Sequence, residues 1–149
     1  MHAIRKGKKK NNPHGVVINT MPGQNPTLPL SRSELSPLVR KALSVLGLSD
    51  REFELTLVKD GEMARLNEKF LGRVGPTNIL SFPEQDPAAP NKLGLMVLSV
   101  DALSREARLY GQDPRSHLVR LLCHGLLHLA GFSHGPEMDR LTEAAVKAI

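Results

Sequence analysis

The apolar positions of this chain follow two spacings, one helical and one extended, which predicts a mixture of helices and strands. Ser31 and Glu34 form a capping-box pattern, and the apolar residues after them recur at helical spacing until Gly47. This segment is predicted to be a core helix. Residues 53 to 57 then alternate between apolar and polar side chains, as a half-buried strand does.

The later segments predict two more strands and four more helices. In chain order they are a helix capped by Asp60, strands at 78–82 and 95–100 joined by a Pro-rich loop, a helix at about 101–110, a helix with Asp113 as N-cap and Pro114 as first residue, and a closing helix at 137–148. Two to four strands packed with about five helices predict an α+β domain with a small mixed sheet.

Residues 1 to 30 have a different composition from the rest. The first part is polar and basic, and residues 20 to 30 are rich in Pro and Gly, with a possible short strand at 16–19 between them. We therefore predict a tail at 1–30 and one domain at 31–149. A chain of 149 residues with 40% hydrophobic residues is long enough to bury one core.

The net charge of +5 comes from the start of the chain. The first ten residues hold five of the 20 lysines and arginines and no acidic residue, which leaves 15 basic and 15 acidic residues in the remainder. A basic arm is typical of contact with RNA phosphates or with the ribosome. It is equally typical of a solvated segment with no binding role.

Cysteine usage and hydropathy predict the cellular compartment. The single Cys excludes an internal disulfide and fits a reducing cytosol. Fully apolar runs are only a few residues long, against the ~20 residues that a spanning helix needs, and no secretory signal is recognisable. We expect a soluble, cytoplasmic protein that does not contact the membrane.

Three histidines near the C-terminus form the most informative motif. His124 and His128 are four residues apart, so on a helix both imidazoles project from one face. Gly131 can adopt a positive φ, end the helix and turn the chain so that His134 reaches the same ion. Imidazole ligands suit zinc, with copper, iron and nickel as alternatives.

No fourth protein ligand is evident beside these histidines. Cys123 points about 100° away from His124 around the helix, and His117 lies about 10 Å back along the axis. A coordination position left to water is typical of catalytic metal sites. The spacing also matches the extended zincin motif of metalloproteases, but Gly125 stands where a protease has its Glu base.

The chain resembles the YbeY family of bacterial endoribonucleases that mature ribosomal RNA. Its two blocks are similar to the family patterns H-G-x-L-H-L-x-G-F/Y-x-H and N-x-x-Y-R-G followed by P-T-D/N-V-L-S-F-P. The residues that carry the resemblance are His124, Gly125, Leu127, His128, Leu129, Gly131, Phe132 and His134 in the first block, and Asn67, Phe70, Gly72 and Pro76 to Pro83 in the second. The similarity extends over about residues 53 to 134.

The resemblance implies a zincin-like domain in which His124, His128 and His134 hold one Zn²⁺. It implies a single-strand-specific endoribonuclease that acts in late small-subunit ribosomal RNA maturation and ribosome quality control. The expected partners are ribosomal RNA and the small ribosomal subunit, with no DNA.

The chain departs from the family pattern at three positions. Leu71 replaces the Arg most often implicated in RNA cleavage, Leu95 replaces an Asp, and Ser133 replaces the Asp before the last histidine. Arg73 is the candidate substitute for the missing Arg, and loss of the carboxylates is expected to alter the metal site. Leu71 and Leu95 keep one alternative open, a ribosome-associated zinc-binding factor with weak or no catalysis. The zincin-like spacing of the histidines keeps open, more distantly, a metalloprotease.

Overall fold

A four-stranded mixed sheet with five helices forms the part of the chain that the computed structural model describes, residues 15–20 and 32–149. The elements are β1 (Val16–Thr20), α1 (Arg32–Val45), β2 (Glu52–Val58), α2 (Asp60–Leu71), β3 (Ile79–Pro83), β4 (Lys92–Ser99), α3 (Val100–Leu109), α4 (Pro114–Leu129) and α5 (Pro136–Ala148). The predicted α+β class is confirmed. Within these residues no helix is long and apolar enough to cross a membrane.

The sheet has the strand order β1-β2-β4-β3. Strand β2 is parallel to both of its neighbours, β1 and β4. Strand β3 is antiparallel to β4 and forms an edge of the sheet. The two central strands, β2 and β4, are buried over most of their length, as expected for strands covered on both faces. The strand predicted at 16–19 is confirmed, and it belongs to the same sheet as the rest of the domain.

Two apolar clusters cover the two faces of this sheet. The larger cluster joins residues of α1 and α4 to one face, where Met96 and Leu98 of β4 point. The smaller cluster lies on the other face, where Leu95 and Val97 pack against α2. The alternation of side chains along β4 therefore assigns each residue to one cluster or the other.

A bulge near the start of β4 interrupts this alternation. Glu52 pairs with Lys92 and the next residue, Phe53, pairs with Gly94, so Leu93 is an extra residue in β4. Gly94 has φ +134°, and a Cβ there would lie 2.2 Å from the Phe82 carbonyl oxygen. Only glycine accommodates both the positive φ and the close approach of the Phe82 carbonyl. The bulge also explains why the strand predicted at 95–100 begins earlier, at Lys92.

The predicted N-cap at Asp60 is wrong. Lys59 occupies that position, and Asp60 is the first residue of α2. Its carboxylate instead accepts hydrogen bonds from Ser99 Oγ at 2.9 Å and from Arg105 Nη1 at 2.8 Å. The bond from Arg105 is the main cause of the lowered pKa of Asp60. A tertiary contact with α3 thus replaces the local cap. The predicted capping residue Ser31 lies outside the described residues.

We predict that Gly94→Ala destabilises the domain by roughly 2–4 kcal/mol, because the methyl group meets the β3 backbone and the positive φ is strained. The measurement is the free energy of unfolding in urea. Gly61→Ala is the matched control, since a Cβ at Gly61 has no neighbour within 4 Å, and its expected change is below about 1 kcal/mol. Equal stability of the two variants would contradict this account of the bulge.

Candidate metal centre

Helix α4 carries two of the three histidines, and its start is defined by a local cap as predicted. The Asp113 carboxylate accepts a hydrogen bond from Ser116 N at 3.0 Å, and Pro114 is the first helical residue. The helix then continues for 16 residues to Leu129. Its apolar residues pack between the sheet, α1 and α5.

Gly125 allows α4 to pack closely against the sheet. A Cβ at this position would lie 2.3 Å from Met96 Cε and 2.9 Å from Ile79 Cδ1. The helix therefore contacts β3 and β4 through a residue without a side chain. His124 and His128 flank this contact on the helix and line an open cleft beside it.

The turn after α4 brings the third histidine to the other two. Gly131 has φ +101°, Gly131 N donates to the His128 carbonyl at 3.1 Å, and Phe132 N donates to the Leu127 carbonyl at 3.0 Å. The ring centroid of His134 lies 5.1 Å from that of His124 and 5.1 Å from that of His128. The sequence prediction that these three side chains lie together agrees with this geometry.

The spacing of the three rings fits a shared metal ion. Two imidazoles bound to one zinc through Zn–N bonds of about 2.1 Å at a tetrahedral angle have ring centroids about 5 Å apart. Within residues 15–20 and 32–149, no group of three or more His, Cys, Asp or Glu side chains is placed so that it could hold a metal ion without some rearrangement. The histidines are thus convergent donors rather than a completed coordination shell.

The electrostatics of the cluster favour the neutral imidazole of His124. Burial lowers the pKa of His124, and the neighbouring His134 and His128 lower it further, while Asp139 opposes them. Neutral imidazole is the form that binds metal. A lowered pKa therefore keeps His124 competent to bind a cation at a lower pH than an exposed histidine.

Two nearby side chains are separated from the cluster, as the helical geometry predicts. Cys123 is fully buried in the larger apolar cluster, and burial raises the pKa of its thiol to about 11. His117 is also buried, and its Nε2 lies 2.9 Å from Glu106 Oε1. Neither residue lines the cleft that contains the three histidines.

The histidines line a cleft of about 770 Å³ between the end of α2, strand β3, and helices α4 and α5. Other polar or charged side chains in its wall are Asn67, Arg73, Thr77, Asn78, Ser81, Arg120, Asp139, Thr142 and Glu143, and apolar residues include Leu71, Ile79, Phe82 and Leu121.

Sequence reasoning missed the contribution of α5 to this cleft. Asp139 and Glu143 are one turn apart on α5, whereas Met138, Thr142 and Ala145 form its buried stripe. The i, i+4 spacing of the two carboxylates signals a shared face. Only the packing of α5 against α4 reveals that this face borders the histidines.

The two arginines of the cleft differ in their partners. Arg120 Nε and Nη2 donate to the Glu143 carboxylate at 2.8 and 3.2 Å, so its charge is balanced. Arg73 is exposed and forms no side-chain hydrogen bond or ion pair with the described residues. Leu71, at the position of the missing family Arg, is 48% exposed in the same cleft.

The replacement of Asp by Leu95 lies away from the metal centre. Leu95 is 3% exposed and belongs to the cluster under α2, on the sheet face opposite Met96 and α4. Leu95 does not line the cleft that contains the histidines, and the expectation that loss of this carboxylate alters the metal site stays a prediction. Ser133 is exposed and directly precedes His134, so the expectation stays a prediction there.

We predict that His128→Ala lowers the affinity for the metal at least ~100-fold, because loss of a ligand costs more than loss of an outer partner. Metal content after gel filtration measures the effect. His117→Gln is the control on the same helix, because the glutamine amide can still donate a hydrogen bond to Glu106. This variant is expected to retain the metal. Equal metal content in all three proteins would contradict the assignment.

Comparison with known proteins identifies the family. The family model for endoribonuclease YbeY matches residues 24–147. The chain is 45% identical to the endoribonuclease YbeY of Oleidesulfovibrio alaskensis, over 89% of this chain and 90% of that protein. It is 42% identical to that of Nitratidesulfovibrio vulgaris, over 81% and 86% of the two chains. The solution structure of a Thermotoga maritima protein has the same fold, with a TM-score of 0.63 at 24% identity, and the match covers 89% of this chain and 87% of that one. This chain belongs to the YbeY family of endoribonucleases.

Proposed function

We propose that this protein is a metal-dependent endoribonuclease that cuts single-stranded ribosomal RNA during late maturation and quality control of the small ribosomal subunit. The observation that carries the proposal is the convergence of three imidazoles in the wall of an open cleft. Family membership supplies the reaction class, since the relatives are named endoribonucleases.

His124, His128 and His134 are the proposed ligands, and zinc is the proposed metal. Three imidazoles without a fourth protein ligand are the donor set of catalytic zinc sites. When bound, such an ion lowers the pKa of water to about 7 or polarises a phosphate oxygen. The chain contributes the fixed ring positions, which the end of α4 and the turn at Gly131 determine.

Arg73 is the proposed phosphate contact. It lines the cleft, and it has no carboxylate partner among the described residues that would compete with RNA. Arg120 also lines the cleft, but Glu143 already neutralises it. Leu71 cannot bind phosphate, so in this chain we assign the role of the missing family Arg to Arg73.

The wall of the cleft suits an unpaired strand. Phe82 is partly buried in the cleft, where it forms an edge contact with Phe70 at 5.5 Å between ring centroids, and Leu71 adds an exposed apolar surface. Apolar and aromatic surfaces next to a cation bind single strands with little sequence preference. We therefore propose weak sequence specificity for this domain.

The metalloprotease alternative is disfavoured by the environment of Gly125. A protease of this motif has a Glu at that position, but Gly125 is buried against Met96 and Ile79. A glutamate side chain there would have to displace the side chains of Met96 and Ile79 or move the helix away from the sheet. The scaffold alternative rests on Leu71 and Leu95. Arg73 in the same cleft can supply the positive charge that Leu71 lacks, and Leu95 does not line the cleft.

Partners and location follow from the proposed substrate. The five basic residues at the start of the chain are proposed to contact ribosomal RNA or the small subunit by phosphate binding. A cytoplasmic location is proposed, because ribosomal RNA is matured there and the lone Cys needs no oxidising compartment.

We predict that the metal-loaded protein cuts single-stranded RNA and that His128→Ala loses the activity at least ~100-fold. The assay follows an end-labelled RNA strand, with Arg108→Ala, at an exposed residue outside the cleft, as the control expected to cut normally. Equal inertness of all three proteins, with metal retained in the wild type, would favour the scaffold alternative. Cleavage of a peptide by wild type but not His128→Ala would favour the protease.

We predict that Arg73→Ala reduces kcat/KM for RNA about tenfold, the typical worth of one charged hydrogen bond to phosphate. Arg108→Ala is the control, because Arg108 is exposed but lies outside the cleft. Adding Leu71→Arg to Arg73→Ala is expected to restore activity, since position 71 borders the same cleft. Unchanged cleavage by Arg73→Ala would overturn the role proposed for this arginine.

A further inference from the structure

A partly buried hydrogen-bond network determines the orientation of Asn78 in the cleft. Asn78 Nδ2 lies 3.2 Å from both carboxylate oxygens of Glu106, and His117 Nε2 lies 2.9 Å from Glu106 Oε1. Carboxylate oxygens accept hydrogen bonds and cannot donate them. The amide nitrogen of Asn78 must therefore face Glu106, and the imidazole nitrogen of His117 in this contact carries a hydrogen.

The network connects the cleft to the packed interior. Asn78 lines the cleft, Glu106 lies on α3, and His117 is a buried residue of α4. The backbone of Asn78 is also held, because its carbonyl accepts a hydrogen bond from Ser99 N at 2.9 Å. The Asn78 side chain is thus held by Glu106 of α3, which His117 of α4 holds in turn, and the Asn78 backbone is held by Ser99.

This orientation leaves the Asn78 amide oxygen as an acceptor. It forms no hydrogen bond with the described residues, and it is not among their buried atoms that lack a partner. Asn67 provides the contrast, because its Oδ1 is buried without a partner. The acceptor of Asn78 is therefore reachable from the cleft.

The chemistry of an acceptor restricts what it can recognise in a nucleic acid. Phosphate oxygens are themselves acceptors and cannot bind it. Reading adenine with an asparagine needs an amide hydrogen as well as the oxygen. The Asn78 nitrogen has two hydrogens, and its bonds to both carboxylate oxygens of Glu106 use both of them. The donor that every ribonucleotide carries, whatever its base, is the 2′-hydroxyl, the group that distinguishes RNA from DNA.

We propose that Asn78 accepts a hydrogen bond from a 2′-hydroxyl of the bound strand, that Glu106 positions it, and that this contact gives the cleft its preference for RNA over DNA. The proposal rests on the proposed nuclease function, because it takes a single-stranded nucleic acid as the occupant of the cleft. Asn78 is then a specificity residue, and Glu106 is a positioning residue.

The experiment measures the dissociation constants of a single-stranded RNA and of the DNA of the same sequence by fluorescence anisotropy. The full chain carries His128→Ala, so that bound RNA stays intact, and the loss of a metal contact affects both strands. Asn78→Ala is expected to weaken RNA binding about three- to tenfold, the worth of one neutral hydrogen bond. DNA binding is expected to remain unchanged, so that the RNA preference disappears.

Two further variants separate positioning from folding. Glu106→Gln keeps the size of the side chain, but its amide can donate to Asn78 Oδ1 as well as accept from Nδ2. It is therefore expected to reduce the RNA preference partially. Arg108→Ala is the control at an exposed position outside the cleft and is expected to leave the ratio of the two dissociation constants unchanged.

The other outcomes overturn the proposal. Equal weakening of RNA and DNA by Asn78→Ala would indicate a structural role, and an effect confined to strands of one base would indicate base reading. Equal binding of RNA and DNA by the protein that carries only His128→Ala would leave no RNA preference for Asn78 to explain. Failure of the nuclease function is a separate result, namely wild-type protein that binds RNA preferentially but does not cut it.

Discussion

The close contact between α4 and the sheet at Gly125 is the constraint on which the rest of the site depends. Met96 and Ile79 fill the space that any side chain at this position would need. Because the helix is fixed there, His124 and His128 border the cleft beside β3. A zincin glutamate at position 125 would have to displace the side chains of Met96 and Ile79, so the packing that places the two histidines also disfavours a protease.

The cleft is chemically mixed rather than strongly basic. Arg120 is neutralised by Glu143, Asp139 borders the histidines, and Arg73 remains for an anionic ligand among the described residues. A site of this kind gains little affinity from charge alone. Apolar wall residues and fixed hydrogen-bonding groups then contribute a larger share of recognition, which is consistent with the role inferred for Asn78.

Local signals in the sequence predicted the elements and the histidine cluster well. The i, i+4 spacing, Gly131, and the cap at Asp113 act within one or two helical turns, and their effect needs no distant partner. The strand at 16–19 and the five helices were predictable for the same reason. Predictions failed where a distant contact competes with a local one, as at Asp60, whose carboxylate binds Ser99 and Arg105 instead of capping α2.

The sequence by itself determined which residues are available for chemistry: three convergent histidines, a missing arginine at position 71 and a candidate substitute at position 73. It also determined the class of fold, because hydrophobic periodicity is a local property.

The tertiary structure alone decided where the residues that differ from the family pattern lie relative to the sheet. The extra residue at the Gly94 bulge changes the strand register, and so Leu95 lies under α2 and away from the histidines. The approach of α5 to the cleft and the bond from Asn78 to Glu106, 28 residues apart in sequence, depend on packing between distant segments. Spacing along the chain carries no information about such contacts.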